Sequence, residues 1–190
     1  HGGAGVMSKS RISEDRRIAY LAKLNEALEL GEKKLKAGAK STDVVVEVIN
    51  ILEDSPLFNA GKGAVFTHDE TNELDASIME GKTLNAGAVA GVLDIKNPIN
   101  AAREVMFNSK QVFLSGQGAT DFGEVEGFGI LASKYIYTKS RHESVIRLKK
   151  EERERYQKDN MGTVGWEVLD TQRNRCAGTL KEVRTKRKNG

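Results

Sequence analysis

Gly162-Thr163-Val164-Gly165 stands where a long charged run ends and a strand pattern, Val164, Trp166 and Val168, begins. Taken alone, a glycine before a threonine says little, because most such threonines are ordinary strand residues. The weight comes from what precedes it. The chain opens His1-Gly2-Gly3-Ala4-Gly5, and its middle carries Pro56-Leu57-Phe58-Asn59-Ala60-Gly61-Lys62-Gly63. Then follow Glu73-Leu74-Asp75-Ala76-Ser77-Ile78-Met79 and Ala86-Gly87-Ala88-Val89-Ala90-Gly91-Val92.

A chain of 190 residues can bury a full core and is most simply one domain. Its 38% hydrophobic and 30% charged composition, with 19 glycines, fits a globular protein with many tight backbone sites. A net charge of +3 is too small to argue for nucleic acid as a partner. No apolar run approaches the roughly 18 residues of a membrane span, and no signal-peptide pattern is present. The single cysteine, Cys176, excludes an intrachain disulfide framework and leans towards a reducing, cytoplasmic setting. The start at His1 rather than Met reads as a trimmed N-terminus, which leaves a periplasmic or otherwise exported setting open.

His1 to Gly5 is too rich in glycine for a helix interior and lacks the Lys-Ser/Thr of a phosphate loop. From Ser13 to about Ala37 the pattern is helical, with Ile18, Leu21, Leu24, Leu28 and Leu35 as its apolar face, Ser13 as cap and Gly38 as stop. The run from Ser41 to Leu52 has β-branched content, but Val45, Val48, Ile49 and Leu52 recur as in a buried helix. Leu52 to Lys62 forms a compact loop able to turn backbone carbonyls inward on a hard cation, or else a plain omega-type loop. Ala64–Thr67, Leu74–Met79 and Ala86–Leu93 read as strands, the last two with small residues that suit close packing. The acidic group Asp69, Glu70, Glu73 and Asp75 lacks metal-ligand spacing and reads as a solvated turn.

Asn97 at N-cap and Pro98 at N1 start a helix through about Met106. Val112–Leu114 is a short strand, and Gly116-Gln117-Gly118-Ala119 turns into another helix. A dinucleotide fingerprint fails there, because Asp121 puts an anion where the third glycine and a pyrophosphate belong. Residues 141–162 are mostly charged, a solvated helix or a linker leading to Thr163.

In this order, the blocks quoted above resemble the plant-type L-asparaginase/isoaspartyl aminopeptidase family of N-terminal-nucleophile hydrolases. The motifs match over about residues 1 to 170 and are gone after roughly Thr179. The resemblance implies an α/β (α+β) fold, an αββα sandwich of two layered sheets between helices, incomplete in this chain. Residues 1–162 would form the α portion and residues 163–190 the start of the β portion, cut between Gly162 and Thr163. The glycine loop at Gly2 and Gly3 would lie beneath the nucleophile. Sodium, with no organic cofactor, would be held by the main-chain oxygens of Leu52, Glu53, Ser55, Phe58, Ala60 and Lys62. The expected partner is a small-molecule substrate, asparagine or an isoaspartyl dipeptide, acted on by a homo-oligomer of αβ units.

The implied chemistry suits the residues. A threonine hydroxyl needs a base, and an N-terminal threonine supplies one as its own α-amine, with a pKa of about 7.7–8.0. Thr163 would attack the Gly162 carbonyl, shift the chain from N to O, and hydrolyse to free itself. Glycine at 162 removes the Cβ that would oppose the strained geometry. The freed Thr163 would then attack an asparagine side-chain amide or a β-aspartyl peptide bond, and water would clear the acyl-enzyme. Asn59 matches the family residue whose amide orients or polarises the reacting group.

Beyond Thr179 the pattern departs. Leu180, Lys181, Glu182 and Val183 stand where the family has Ser-Thr-Gly-Gly, so Lys181 replaces an expected active-site threonine. The Arg and Asp that clamp the substrate's α-carboxylate and α-amine do not appear. The last ten residues hold Lys181, Arg184, Lys186, Arg187 and Lys188 against Glu182, which reads as a truncation or a shifted frame, or alternatively a basic partner-binding tail. The sequence therefore supports an amidohydrolase that is incomplete and weakly active or inactive as written. The alternative is a catalytically silent fragment that pairs with a partner chain.

Overall fold

The computed structural model describes residues 1–3, 12–127, 135–158, 164–169 and 175–180. Among these, five helices and five strands make a mixed α+β structure: α1 (Glu14–Lys36), α2 (Ser41–Glu53), β1 (Leu74–Met79), β2 (Ala86–Val92), α3 (Pro98–Asn108), β3 (Phe113–Ser115), α4 (Gly116–Val125), α5 (Lys139–Lys158), β4 (Val164–Leu169) and β5 (Arg175–Leu180). A short 3-10 turn covers Gly61–Gly63.

The sheet order is β1-β2-β3, with β1 antiparallel and β3 parallel to the central β2. Parallel pairing needs a crossover, and α3 supplies it by packing back over the sheet. Ala101, Ala102 and Val105 of α3 are fully buried, against Val89 at 1% and Val92 at 0% exposure. Ile78, Ile95, Ile99, Ala119 and Ile136 complete this core. Each fully buried Ile or Val there contributes about 1.5–3 kcal/mol of apolar burial. The small residues of β2 serve this contact. A Cβ on Gly87 would sit 2.8 Å from Met106 Cα, and closer still to the Ala102 carbonyl oxygen. Helix α3 therefore lies directly on the strand backbone.

A bulge interrupts the β1–β2 ladder, where Leu74 pairs Val92 but Ala76 pairs Val89. The extra residue in β2 is taken up with Gly91 at φ +64, a conformation glycine reaches without steric cost. Across the bulge the Gly91 N–H donates to Asp75 Oδ1 at 2.9 Å. β4 and β5 form a separate antiparallel pair, from Val164↔Leu180 to Leu169↔Arg175.

Several sequence expectations are corrected. The helix α1 forms within a residue of its expected ends and Ser13 Oγ accepts from Arg16 N, but the buried face is a different one. Ile18, Leu21, Leu28 and Leu35 are 44–68% exposed, whereas Ala27 and Gly31 are buried. Small residues win that face because they let α1 approach α2: a Cβ on Gly31 would lie 3.3 Å from Val48 Cγ2. In α2 Val45 is likewise exposed, and Val44 and Val46 are buried. Ala64–Thr67 is not a strand. Three of its backbone groups are taken by side chains instead: Asn72 Nδ2 donates to the Ala64 and Val65 carbonyls at 3.1 Å, and Val65 N donates to Asn59 Oδ1 at 2.9 Å.

Asn97 stands before α3 as expected, yet its side chain makes no capping bond. The cap comes from 44 residues upstream in sequence. Glu53 Oε1 accepts from Ile99 N at 3.2 Å, and Asn97 Nδ2 donates to Glu53 Oε2 at 3.1 Å. A carboxylate at a helix N-terminus meets unpaired N–H groups and the positive end of the dipole.

Candidate active site

Leu52 and Glu53, expected in the loop, are instead the last residues of α2, and the loop from Asp54 to Gly63 joins that helix to the irregular segment ahead of β1. It folds back on itself at two glycines. A Cβ on Gly61 would lie 2.9 Å from the Glu53 carbonyl carbon, and closer to its oxygen. A Cβ on Gly63 would lie 2.8 Å from Pro56 O, and closer to Phe58 O. Gly61 also takes φ +48. Both positions therefore require glycine, for conformation at Gly61 and for close approach at both. Phe58, 5% exposed, anchors the loop from inside, edge-on to Tyr20 with ring centroids 5.5 Å apart. Tyr20 Oη donates to the Leu57 carbonyl at 2.8 Å, tying the loop to α1.

The N-terminal glycines meet this loop. A Cβ on Gly2 would come within 3.0 Å of Leu24 Cδ2 and 3.1 Å of Phe58 Cε1, so Gly2 packs beside the residue preceding Asn59. Gly3 has φ +113.

Asn59 itself lines a cavity of about 480 Å³. Its Oδ1 is held by Val65 N, which fixes the plane of the amide. Among the described residues its Nδ2 donates to no other group, so the donor end is the one available to a ligand. The walls carry Thr67, His68, Glu73 and Asp75 from one side, and Arg141, Ser144, Val145 and Lys149 of α5 from the other. The charged run before Thr163 is thus a helix whose one face closes this cavity. Thr163 and Gly162 lie outside the described residues; the next residue, Val164, opens β4.

Of the six carbonyls expected to face a cation, Leu52 O accepts from Ser55 N at 3.2 Å and Ala60 O from Gly63 N at 3.0 Å. Among the described residues, no loop N–H donates to those of Glu53, Ser55, Phe58 and Lys62. Their residues, apart from Lys62, are buried. Beside them the Glu53 side chain is 3% exposed. Burial pushes its carboxyl up to about 7, against the Asn97 and Ile99 N–H groups, which favour the charged form.

Sequence reasoning missed the α5 wall. Arg141 Nε donates to Gly63 O at 2.9 Å, Lys149 Nζ to Glu70 Oε1 at 2.6 Å, and His142 Nε2 lies 3.2 Å from Glu70 Oε2. These contacts join residues more than 70 positions apart, which no local pattern signals. Glu70 and Asp75 are therefore tied groups, not simply a solvated turn.

The chain belongs to the asparaginase family, whose sequence model matches residues 1–185. That match runs past Thr179, where the recognisable motifs stop. The isoaspartyl peptidase of Escherichia coli (strain K12) is 43% identical over 187 residues, covering 94% of this chain and 58% of that protein. The plant-type L-asparaginase of Pyrococcus abyssi (strain GE5 / Orsay) is 49% identical over 128 residues, 67% of this chain and 40% of that protein. The isoaspartyl peptidase/L-asparaginase of Bos taurus is 37% identical, again over 94% of this chain and 58% of its own length. The chain thus spans about half the length of the curated relatives it matches.

Proposed function

We propose that this chain belongs to a threonine N-terminal-nucleophile amidohydrolase that hydrolyses the side-chain amide of asparagine or the β-linked bond of an isoaspartyl dipeptide. The observation that carries the reading is Asn59, pinned by Val65 N at the rim of the cavity with Nδ2 left to donate. An amide N–H so held can polarise a carbonyl or orient a hydroxyl without reorganising during the reaction. Thr163 is the nucleophile, freed by scission after Gly162, and its α-amine is the base. A three-stranded sheet covered by α3 and a separate β4-β5 pair are compatible with an αββα sandwich.

The Leu52–Lys62 loop fits a hard cation such as sodium. The glycine-enforced fold of the loop and the carbonyls of Glu53, Ser55, Phe58 and Lys62 support this. Bound there, the ion would supply structure rather than chemistry, fixing the loop from which Asn59 projects.

Intact mass after long incubation tests the nucleophile. The expected product has a new N-terminus beginning Thr-Val-Gly, and Thr163→Ala yields none. A cut elsewhere, or one that survives the substitution, refutes the assignment. Ammonia release from asparagine and β-aspartyl dipeptides, by this chain and by one extended to its relatives' full length, then tests the substrate class.

A further inference from the structure

The cavity beside Asn59 is closed on one side by α5, through Arg141, Ser144, Val145, Leu148 and Lys149. These recur at three and four residues, one face of a helix. The apolar hold on that face is slight. Val145 is buried at 8% exposure, whereas Leu148 and Ile146 are 36% and 48% exposed. His142 packs edge-on to Phe66, with ring centroids 5.3 Å apart, and Arg141 Nε donates to Gly63 O at 2.9 Å, but the other side-chain bonds from this face to the cavity's far wall run to one residue. Glu70 uses both carboxylate oxygens on α5, Oε1 on Lys149 and Oε2 on His142, two helical turns apart. Lys149 first, then His142, hold the Glu70 carboxyl below its ordinary value, so it stays charged. The turn that presents Glu70 is itself built: Thr67 N donates to Thr71 O at 2.8 Å, their hydroxyls lie 2.8 Å apart, and Glu70 takes φ +62.

We infer that α5 is a strap across the mouth of the Asn59 cavity, with Glu70 as its latch, and that an asparagine or β-aspartyl dipeptide enters when the strap lifts. This rests on the reading of that cavity as the substrate site. Partly exposed charge pairs are individually weak, so a strap held by them opens far more readily than a helix packed into a core. In sequence the strap ends at Lys158, four residues before the Gly162–Thr163 bond. Scission there would release its far end and leave the latch, with Arg141 and His142, to hold it, coupling cleavage to access.

Thiol labelling tests this in the Cys176→Ser background. Val145→Cys places a thiol on the cavity face of α5 at a position 8% exposed, and Ala119→Cys places one in the core at 0% exposure. With Glu70→Gln, and separately with Lys149→Gln, Ellman's reagent should modify the Val145→Cys thiol about fivefold faster while the core thiol stays unreactive. Unchanged labelling at Val145→Cys overturns the strap. A parallel rise at Ala119→Cys would mean Glu70 holds the fold as a whole, and overturns it too. Labelling reads access, not turnover, so a chain that does not cut at Thr163 would refute the catalytic reading without altering this result.

Discussion

Replacing Gly87 by Ala should be among the most damaging single changes to this fold. The added carbon would lie 2.8 Å from Met106 Cα, with the Met106 nitrogen and the Ala102 carbonyl oxygen nearer still. All three are backbone atoms of α3, so no side-chain rotation relieves the clash. Either the helix leaves the sheet, exposing Ala101, Ala102 and Val105, or β2 loses register with β1. Overpacking a core ordinarily costs about 1–3 kcal/mol, and a clash with rigid backbone belongs at or above the upper end. With a urea slope of about 2 kcal/mol/M, a loss of about 3 kcal/mol lowers the unfolding midpoint by about 1.5 M. Gly118→Ala is the control. Gly118 lies inside α4 with nothing within 4 Å of its Cβ position, so alanine there should stabilise by about 0.5–1 kcal/mol. Urea unfolding followed by far-UV circular dichroism reads both. A Gly87→Ala midpoint equal to wild type, or lower midpoints for both variants, would refute the packing argument.

Glu53 should make stability depend on pH, because burial raises its carboxyl from 4.5 to about 7 in the folded state. A raised acid contributes stability that is fully present below about pH 4.5 and lost as pH rises to 7, by at most roughly 3 kcal/mol. Glu53→Gln should remove that slope; chemical denaturation across pH 4–8 showing identical profiles for both proteins would contradict it. Exchanging sodium for tetramethylammonium should lower the melting temperature, since a native-state ligand adds about 2.7 kcal/mol at roughly 100 times Kd. Melting curves indifferent to the cation would count against the loop site. Asn59→Ala should cost on the order of 10²-fold or more in ammonia release by the full-length protein, with a stability loss of only about 1 kcal/mol. Undiminished turnover would remove Asn59 from the chemistry.

Local patterns were legible where the physics is local. Ser13 and Pro98 mark helix starts because a cap needs only neighbouring N–H groups, and both helices begin within a residue of those marks. The Leu74–Met79 and Ala86–Val92 strands, and the blocks that place the chain in its family, could likewise be read directly. The glycine-rich context of Asn59 was legible too, but not the Val65 N–H that holds its amide.

What the tertiary structure decided was which face of each element is buried and who satisfies each polar group. Periodicity gave α1 a leucine face, but the approach of α2 is limited by the bulkiest residue between the helices, so Ala27 and Gly31 took the contact. Propensity made Ala64–Thr67 a strand, yet Asn59 and Asn72 took its backbone bonds and turned it into a cavity wall. Glu53 capping α3 and Glu70 gripping α5 join residues 46 and 79 positions apart. Sequence carries the identity of such partners but not their distance, because long-range pairing is set only once the core has brought the segments together.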